Sequence, residues 1–488
     1  MKRAKQQIIV LGGGSAGWMT ANLLQLQLGP KGFCITVIES PTIGIIGVGE
    51  GSTPQLKMFF DLLEIKESTW MPACDATYKQ GIAFHGWTNL VHPQYDHYFH
   101  PFPSNYDHVS AKPFLEQVHA MLLGQASMPH PNPYFLTSVL ADTFKSPQHS
   151  HDNIHTSYGY HFDAVKLGQF LKTFGQSKGI NVIETTVADV CHSQHTIKAV
   201  VDEHGTAHYA DWFFDCSGFS SKLMRETLNV PFINFSDNLL NDSAVAIPTP
   251  RQKKESPQTQ ASALNCGWAW RIPLTTRVGN GYVYSQQFCT AQDAEAELRE
   301  HLGIDSSLPA RHLSMNVGRL AEHWVGNTVG VGLSQGFIEP LEATALHLVQ
   351  ETVTQFIGAF CAGDYTTKHQ RQFNQVINAR FEGIRDYIVA HYVCNQIKND
   401  PTGYWQHCRE NNNLSNNLAA VLACWKSGGD LHELLSQRNM QQYYPTLSWY
   451  VLLAGYRQFP HQQYQVNEQT NAINQQLNEL MHSFVAID

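Results

Sequence analysis

The sequence predicts an α/β fold in two parts: an N-terminal domain over residues 1–345 that carries β insertions, and a helical subdomain over residues 346–488. Three observations carry that expectation. A short apolar strand, a glycine-rich turn, a helix and a second strand open the chain. Strand-like segments punctuated by turn residues fill the middle. Helical periodicity takes over after residue 344. The 488 residues are 43% apolar and 11% aromatic, as in an ordinary globular protein, and are long enough for a large two-part enzyme. A net charge of −9 without a Lys/Arg run argues against nucleic acid or an anionic membrane as partner. Apolar runs are too short to span a bilayer, and the basic start leads into glycines and not into a signal-peptide core. Ten scattered cysteines without a CxxC pair fit reduced thiols in the cytoplasm.

Taken in order, residues 7–11 read as the first strand, residues 18–28 as a helix and residues 33–38 as the second strand, ending at Glu39. Between them, Gly12-Gly13-Gly14-Ser15-Ala16-Gly17 has the G-x-G-x-x-G spacing of a dinucleotide turn. Gly12, Gly14, Ser15, Ala16 and Gly17 are therefore the candidates to meet a pyrophosphate at the helix N-terminus. Glu39 stands where an acid accepts from a ribose hydroxyl. Residues 44–54 read as a glycine-rich loop, residues 92–133 as largely irregular and residues 145–155 as a polar surface loop. Residues 182–190 and 197–201 look like paired strands, and Trp212-Phe213-Phe214 runs into Asp215. Residues 268–274 and 282–285 look like a hairpin about Gly279-Asn280-Gly281. Leu346, Val349, Val353, Phe356 and Phe360 recur at helical steps, as do Phe373, Ile377, Phe381, Ile384, Ile388 and Tyr392.

The N-terminal βαβ unit, the strand ending at Asp215 and the later G-x-G about Gly332 together suggest FAD in place of NAD, in a flavin-monooxygenase type of Rossmann-like domain. The chain then resembles the flavin-dependent halogenases of the tryptophan-halogenase family. The resemblance rests on Trp268-Ala269-Trp270-Arg271-Ile272-Pro273, a W-x-W-x-I-P signature, and on Gly281-Tyr282-Val283-Tyr284-Ser285. It also rests on the first glycine turn through Trp18, Gly47-Val48-Gly49-Glu50, Lys79-Gln80-Gly81-Ile82, Gly336-Phe337-Ile338-Glu339-Pro340-Leu341-Glu342 and Ile384-Arg385-Asp386-Tyr387-Ile388.

That resemblance implies a two-component enzyme. Reduced FAD from a separate NAD(P)H-dependent flavin reductase, O2 and chloride or bromide give hypohalous acid, which a tunnel delivers to Lys79. There an electron-rich aromatic, such as an indole or tryptophan-like molecule, free or held on a carrier or peptide, is halogenated. Lys79 and Glu342 are the implied catalytic residues; burial would favour the neutral, nucleophilic amine. FAD is implied to meet Gly49, Glu50, Asp215, Gly332 and Leu333 besides the first turn. Halide is implied to sit on the amides of Thr344 and Ala345. Here Ala343 and Ala345 depart from the family's serine and glycine. His100 and Phe102 would line the substrate pocket, within inserted segments over about residues 85–155, while Trp268 and Trp270 would keep substrate off the flavin. Tyr443, Tyr444 and Trp449 are candidates for the substrate's polar end. A homodimer is left open. A flavin-dependent aromatic hydroxylase and a non-catalytic flavoprotein are the alternatives. His149, His151 and His155 lie in a polar loop without a cysteine partner, and no metal site is expected.

Overall fold

The computed structural model describes residues 5–44, 47, 49–88, 95–125, 127, 129–149, 154–460, 473, 475–477 and 479–487. They form two compact units, each assembled from three stretches of chain. Unit 1 is Met1–Ala76, Phe162–Ser236 and Met315–Glu382; unit 2 is Thr77–His161, Asp237–Ser314 and Gly383–Asp488. The expected division at residue 345 does not follow these boundaries. The Ala345–Ala362 helix buries Leu346, Val349, Val353, Phe356 and Phe360, and it packs beside the Ser15–Leu28 helix within unit 1.

Unit 1 is built on a six-stranded sheet in the order Trp324–Val325, Thr328–Gly330, Trp212–Asp215, Gln6–Leu11, Phe33–Glu39, Asn181–Glu184. Its strands are parallel except at the Trp324–Val325 edge. Ile8, Ile9 and Val10 are all buried, as a parallel strand covered on both faces requires. The Ser15–Leu28 and Ala164–Ser177 helices pack together, the latter capped by Asp163 accepting from the amides of Val165 and Lys166. The expected strand over residues 182–190 is two elements. Asn181–Glu184 joins this sheet, whereas Val187–Ser193 pairs antiparallel with Thr196–Asp202.

Unit 2 is built on a larger sheet in the order Arg311–Ser314, Ser243–Ala246, Arg277–Tyr284, Gly267–Pro273, Thr259–Leu264, Gly81–His85, His97–Pro101. One face packs Val245, Ala269, Tyr282 and Tyr284 against Ala294 and Leu298 of the Ala291–Leu302 helix. Three expectations change here. The hairpin turns after Leu274, and Gly279-Asn280-Gly281 lies inside a strand. Asn280 Nδ2 there donates to Ile247 O and Thr249 Oγ1, and a Cβ on Gly281 would lie 2.0 Å from the Trp270 ring. These residues are demanded by packing and not by a turn. Within the region expected to be irregular, Asp107–Leu122 is a helix burying Phe114, Val118, Met121 and Leu122. Lys145–His149 is a strand paired with Phe484–Ala486. His151 lies outside the described residues.

Candidate active site

In unit 1 the first turn is organised by close approach. A Cβ on Gly17 would fall 1.9 Å from Gly12 O, and Gly12 itself adopts a φ of +116° against Cys216 O. Gly14 is different: its Cβ would meet nothing within 4 Å. Gly14 caps the Ser15–Leu28 helix without a side-chain hydrogen bond, so no capping side chain competes for the first amides of that helix. That cradle fits a pyrophosphate. The Ser15 hydroxyl points elsewhere, donating to Ala164 O at 3.0 Å. Ala16 backs the Gly332 turn, where φ is +68° and a Cβ would lie 2.8 Å from Ala16 Cβ. Leu333 follows in the same short helical turn.

Glu39 ends the second strand with its carboxylate over the Cα of Gly13. Oε2 accepts from Trp18 Nε1 at 3.1 Å, and Oε1 accepts from Lys172, which also donates to Glu184 at 2.6 Å. Lys172 and Gly13 were not legible as parts of this arrangement. Asp215 is fully buried, and four donors occupy its carboxylate: the amides of Ser217, Leu223 and Met224 and the Ser217 hydroxyl. Its carbonyl accepts from Val331 N at 2.9 Å, so Asp215 ties the first turn's neighbour to the Gly332 segment. Gly49 has a φ of +82°. Beside it, burial and the Asp163 charge push the Glu50 carboxyl up to about 7.

Glu342 is buried at the end of a short Pro340–Glu342 turn. Ala343 follows at a φ of +55°, left-handed backbone that is strained by roughly 1 kcal/mol for a residue with a Cβ. The Ala345–Ala362 helix then starts from Thr344, which supplies no side-chain cap. The first helical amides therefore have no intrahelical acceptor. Burial and the Arg380 charge push His347, in the same turn, down to about 4, so it stays neutral at neutral pH.

Unit 2 holds Lys79. It is completely buried, on a strand whose register pairs Lys79 with Gly159 and Thr77 with His161. Gln80 locks the next peptide: its amide donates to Pro257 O, its carbonyl accepts from Phe102 N, and its side chain donates to Lys145 O. This places the Lys79 amine 5.5 Å from the centre of the Phe102 ring, within cation–π reach. His161 shares hydrogen bonds with Thr259 Oγ1 and Thr77 Oγ1. Its pKa is held well below the usual range, first by burial and then by the charges of Lys79 and Arg271.

His100 is buried; its Nε2 shares a 3.0 Å hydrogen bond with Ser448 Oγ, and its ring lies 5.8 Å from Tyr387. Tyr387 stacks on Tyr444 at 3.6 Å, stands edge-on to Trp449 and donates to Ser448 O. Tyr387 and Ser448 went unassigned in the sequence. Trp268 and Trp270 project from one face of their strand, ring centres 6.3 Å apart at 62°. The structure thus gathers the glycine turn, Glu39, Glu50, Asp215, Gly332, Glu342, Thr344 and Ala345 in unit 1. Lys79, His100, Phe102, Trp268 and Trp270 belong to unit 2.

A doubly covered parallel sheet with an open glycine cradle at its first helix, joined to a second unit bearing a buried lysine, defines a dinucleotide-binding oxidoreductase of the flavoprotein class. A family profile described as tryptophan halogenase matches residues 7–472. The chain is 32% identical to the tryptophan 6-halogenase SttH of Streptomyces toxytricini, over 93% of this chain and 90% of that protein. It is 34% identical to the tryptophan 7-halogenase RebH of Lentzea aerocolonigenes, over 83% and 79%. The crystal structure of SttH superposes with a TM-score of 0.86 at 29% identity, covering 99% and 98% of the two chains. The flavin-dependent halogenase Xcc4156 of Xanthomonas campestris superposes with a TM-score of 0.83 at 29% identity, covering 99% and 97%. The chain belongs to the tryptophan halogenase family and is a flavin-dependent halogenase with FAD as its cofactor. Among the described residues, no helix is long and apolar enough to cross a membrane.

Proposed function

We propose that this enzyme halogenates an electron-rich aromatic of the indole or tryptophan type with chloride or bromide, and that Lys79 carries the halogen to the ring. The observation that carries this reading is the complete burial of the Lys79 amine beside Phe102. A lysine is rarely buried completely, and one held so is a candidate for chemistry. The likeness to SttH and RebH, both named for tryptophan, supports the substrate class.

The cofactor is held by the Gly14 cradle, with Glu39 offering its remaining lone pairs to the adenosine ribose and Glu50 and Gly332 lining the site. FAD, once bound and reduced by a separate NAD(P)H-dependent reductase, supplies with O2 the oxidising equivalent that turns halide into hypohalous acid. The amides of Thr344 and Ala345 hold the halide by the charge preference of a helix start. The Lys79 amine then hydrogen-bonds hypohalous acid, or exchanges an N–H hydrogen for halogen with release of water. The ring attacks that halogen, and its displaced proton passes to the Glu342 carboxylate. Trp268 and Trp270 present apolar surface that keeps the ring from the flavin. His100, Tyr387, Tyr444 and Trp449 form an aromatic wall for the substrate. The Trp449 indole N–H, buried without an acceptor among the described residues, is available to a substrate carbonyl or carboxylate.

The test is single-turnover halogenation with tryptophan, indole and bromide, followed by product mass beside flavin absorbance. Lys79→Ala should lose halogenated product by at least about 10³-fold while flavin binding and reoxidation persist. Glu342→Gln should slow product formation by about 10²–10⁴. Wild-type halogenation by Lys79→Ala would defeat delivery by the amine and favour freely diffusing hypohalite.

A further inference from the structure

Sequence spacing alone predicts no metal site, at His149, His151 and His155 included. The fold creates another cluster in unit 2. His85 ends the Gly81–His85 strand and His97 opens the His97–Pro101 strand. The two are direct partners in the antiparallel register, so their side chains share a face. Their rings lie 4.5 Å apart at 32°. Asp96 Oδ1 accepts from His97 Nδ1 at 2.8 Å. One ligand atom from each of His85, Asp96 and His97 can be chosen so that all lie within 4.8 Å of one another.

Two further features make this more than a crowded pair. His85 Nε2 is buried and has no hydrogen-bond partner among the described residues, although an imidazole removed from water normally finds one. Asp142 Oδ1 stands 3.9 Å from His97 Nε2, adding a second carboxylate to the rim. Asp96 is mostly exposed and His85 and His97 are half-buried, so an ion could arrive from solvent and keep a water.

We propose that His85, Asp96 and His97 form a binding site for a zinc-type divalent cation, with water in the fourth position. Two imidazoles and one carboxylate select Zn2+ over Mg2+ or Ca2+, which prefer all-oxygen shells. Tetrahedral coordination at 2.0–2.2 Å needs ligand atoms about 3.3 Å apart. The side chains must therefore close in by about 1 Å, which points to affinity on the order of micromolar, well below that of a preformed structural zinc site. The register sets the role. From the His85–His97 pair to the Gly81–Pro101 pair is four residues, or about 13 Å. The ion would clip the two strands at the end where residues 86–96 join them, and their other end leads to Lys79, His100 and Phe102. It would brace the substrate-lining segment without touching the reacting atoms.

The test is calorimetric titration of the purified full-length protein with ZnCl2, and with MgCl2 as control, beside thermal unfolding. The wild type should take up one Zn2+ with micromolar affinity and no Mg2+. Its unfolding midpoint should rise by about 3 °C with zinc at 100-fold its Kd. His85→Gln and Asp96→Asn keep size and polarity, and each should weaken that site at least tenfold. His208→Gln removes a histidine paired with Asp202 in unit 1 and should bind zinc as wild type, which separates this site from diffuse binding to the remaining histidines. No saturable site in the wild type would overturn the proposal, as would wild-type affinity in both His85→Gln and Asp96→Asn.

Discussion

A half-buried carboxyl whose ordinary ionisation is opposed by its surroundings reports on the folded state directly. Glu50 is such a group, raised to about 7 by burial and by the neighbouring charge of Asp163. Below about pH 4.5 it is protonated in both folded and unfolded chains and has no net effect. Between about pH 4.5 and 7 the unfolded chain releases the proton first, so it binds fewer protons and stability falls as pH rises. Above 7 the full loss, about 3 kcal/mol, remains. Glu50→Gln should remove this dependence: urea unfolding of the apoprotein should show the variant gaining about 3 kcal/mol on wild type from pH 4.5 to 8. Parallel curves for the two proteins would show that the folded state does not oppose ionisation of Glu50. The family resemblance marked Glu50 through Gly47-Val48-Gly49-Glu50, but its proximity to the Asp163 charge depends on a helix start more than a hundred residues on. The same holds for Lys172 on Glu39 and for Phe102 over Lys79. A family motif nominates a reactive group; its neighbours come from tertiary register.

At the scale of elements, the first strand–turn–helix was the most legible part, because its glycines meet two distinct physical demands within six residues. Gly17 is glycine for the protein's own sake, since a Cβ there strikes Gly12 O. Gly14 has room around it, and on the proposed reading it is glycine for the ligand's sake. The two should therefore separate experimentally. Gly17→Ala should lower stability of the apoprotein by about 1–3 kcal/mol, as overpacking does. Gly14→Leu should leave apoprotein stability within about 0.5–1 kcal/mol yet weaken FAD at least tenfold, measured by fluorescence quenching. Full FAD affinity in Gly14→Leu would remove this turn from the cofactor site. Less legible elements failed for identifiable reasons. The Asp107–Leu122 helix contains Pro113 and many polar residues, which hid the buried stripe Phe114, Val118, Met121. The Lys145–His149 strand finds its partner at Phe484–Ala486, over 300 residues away, where no local pattern could announce it. Gly279-Asn280-Gly281 carries the composition of a hairpin turn but serves the Trp270 ring and the Ile247 carbonyl.

Over the whole molecule, the chain interleaves its two units, crossing between them at Ala76, His161, Ser236, Ser314 and Glu382. A division read along the sequence as one N-terminal and one C-terminal block could not show this, because both sheets draw strands from distant stretches. The proposed roles divide along the same units: the glycine turn and helix-start amides in unit 1, the amine and aromatic wall in unit 2. Only one turn of the dinucleotide type appears in the sequence, at residues 12–17. If it holds FAD, as its open Gly14 favours, the chain has no second turn of that kind for NAD(P)H, which agrees with the proposed entry of electrons from a separate reductase. Anaerobic mixing of the FAD-loaded enzyme with NADH or NADPH should leave the oxidised flavin absorbance unchanged over many turnover times. Adding a flavin reductase in catalytic amount should bleach it, and admitting air with bromide and tryptophan or indole should then give halogenated product. Bleaching by NADH or NADPH alone would mean that a nicotinamide site exists outside the glycine turn. Electron entry would then be a property of this chain, and the two-component reading of its chemistry would fall with it.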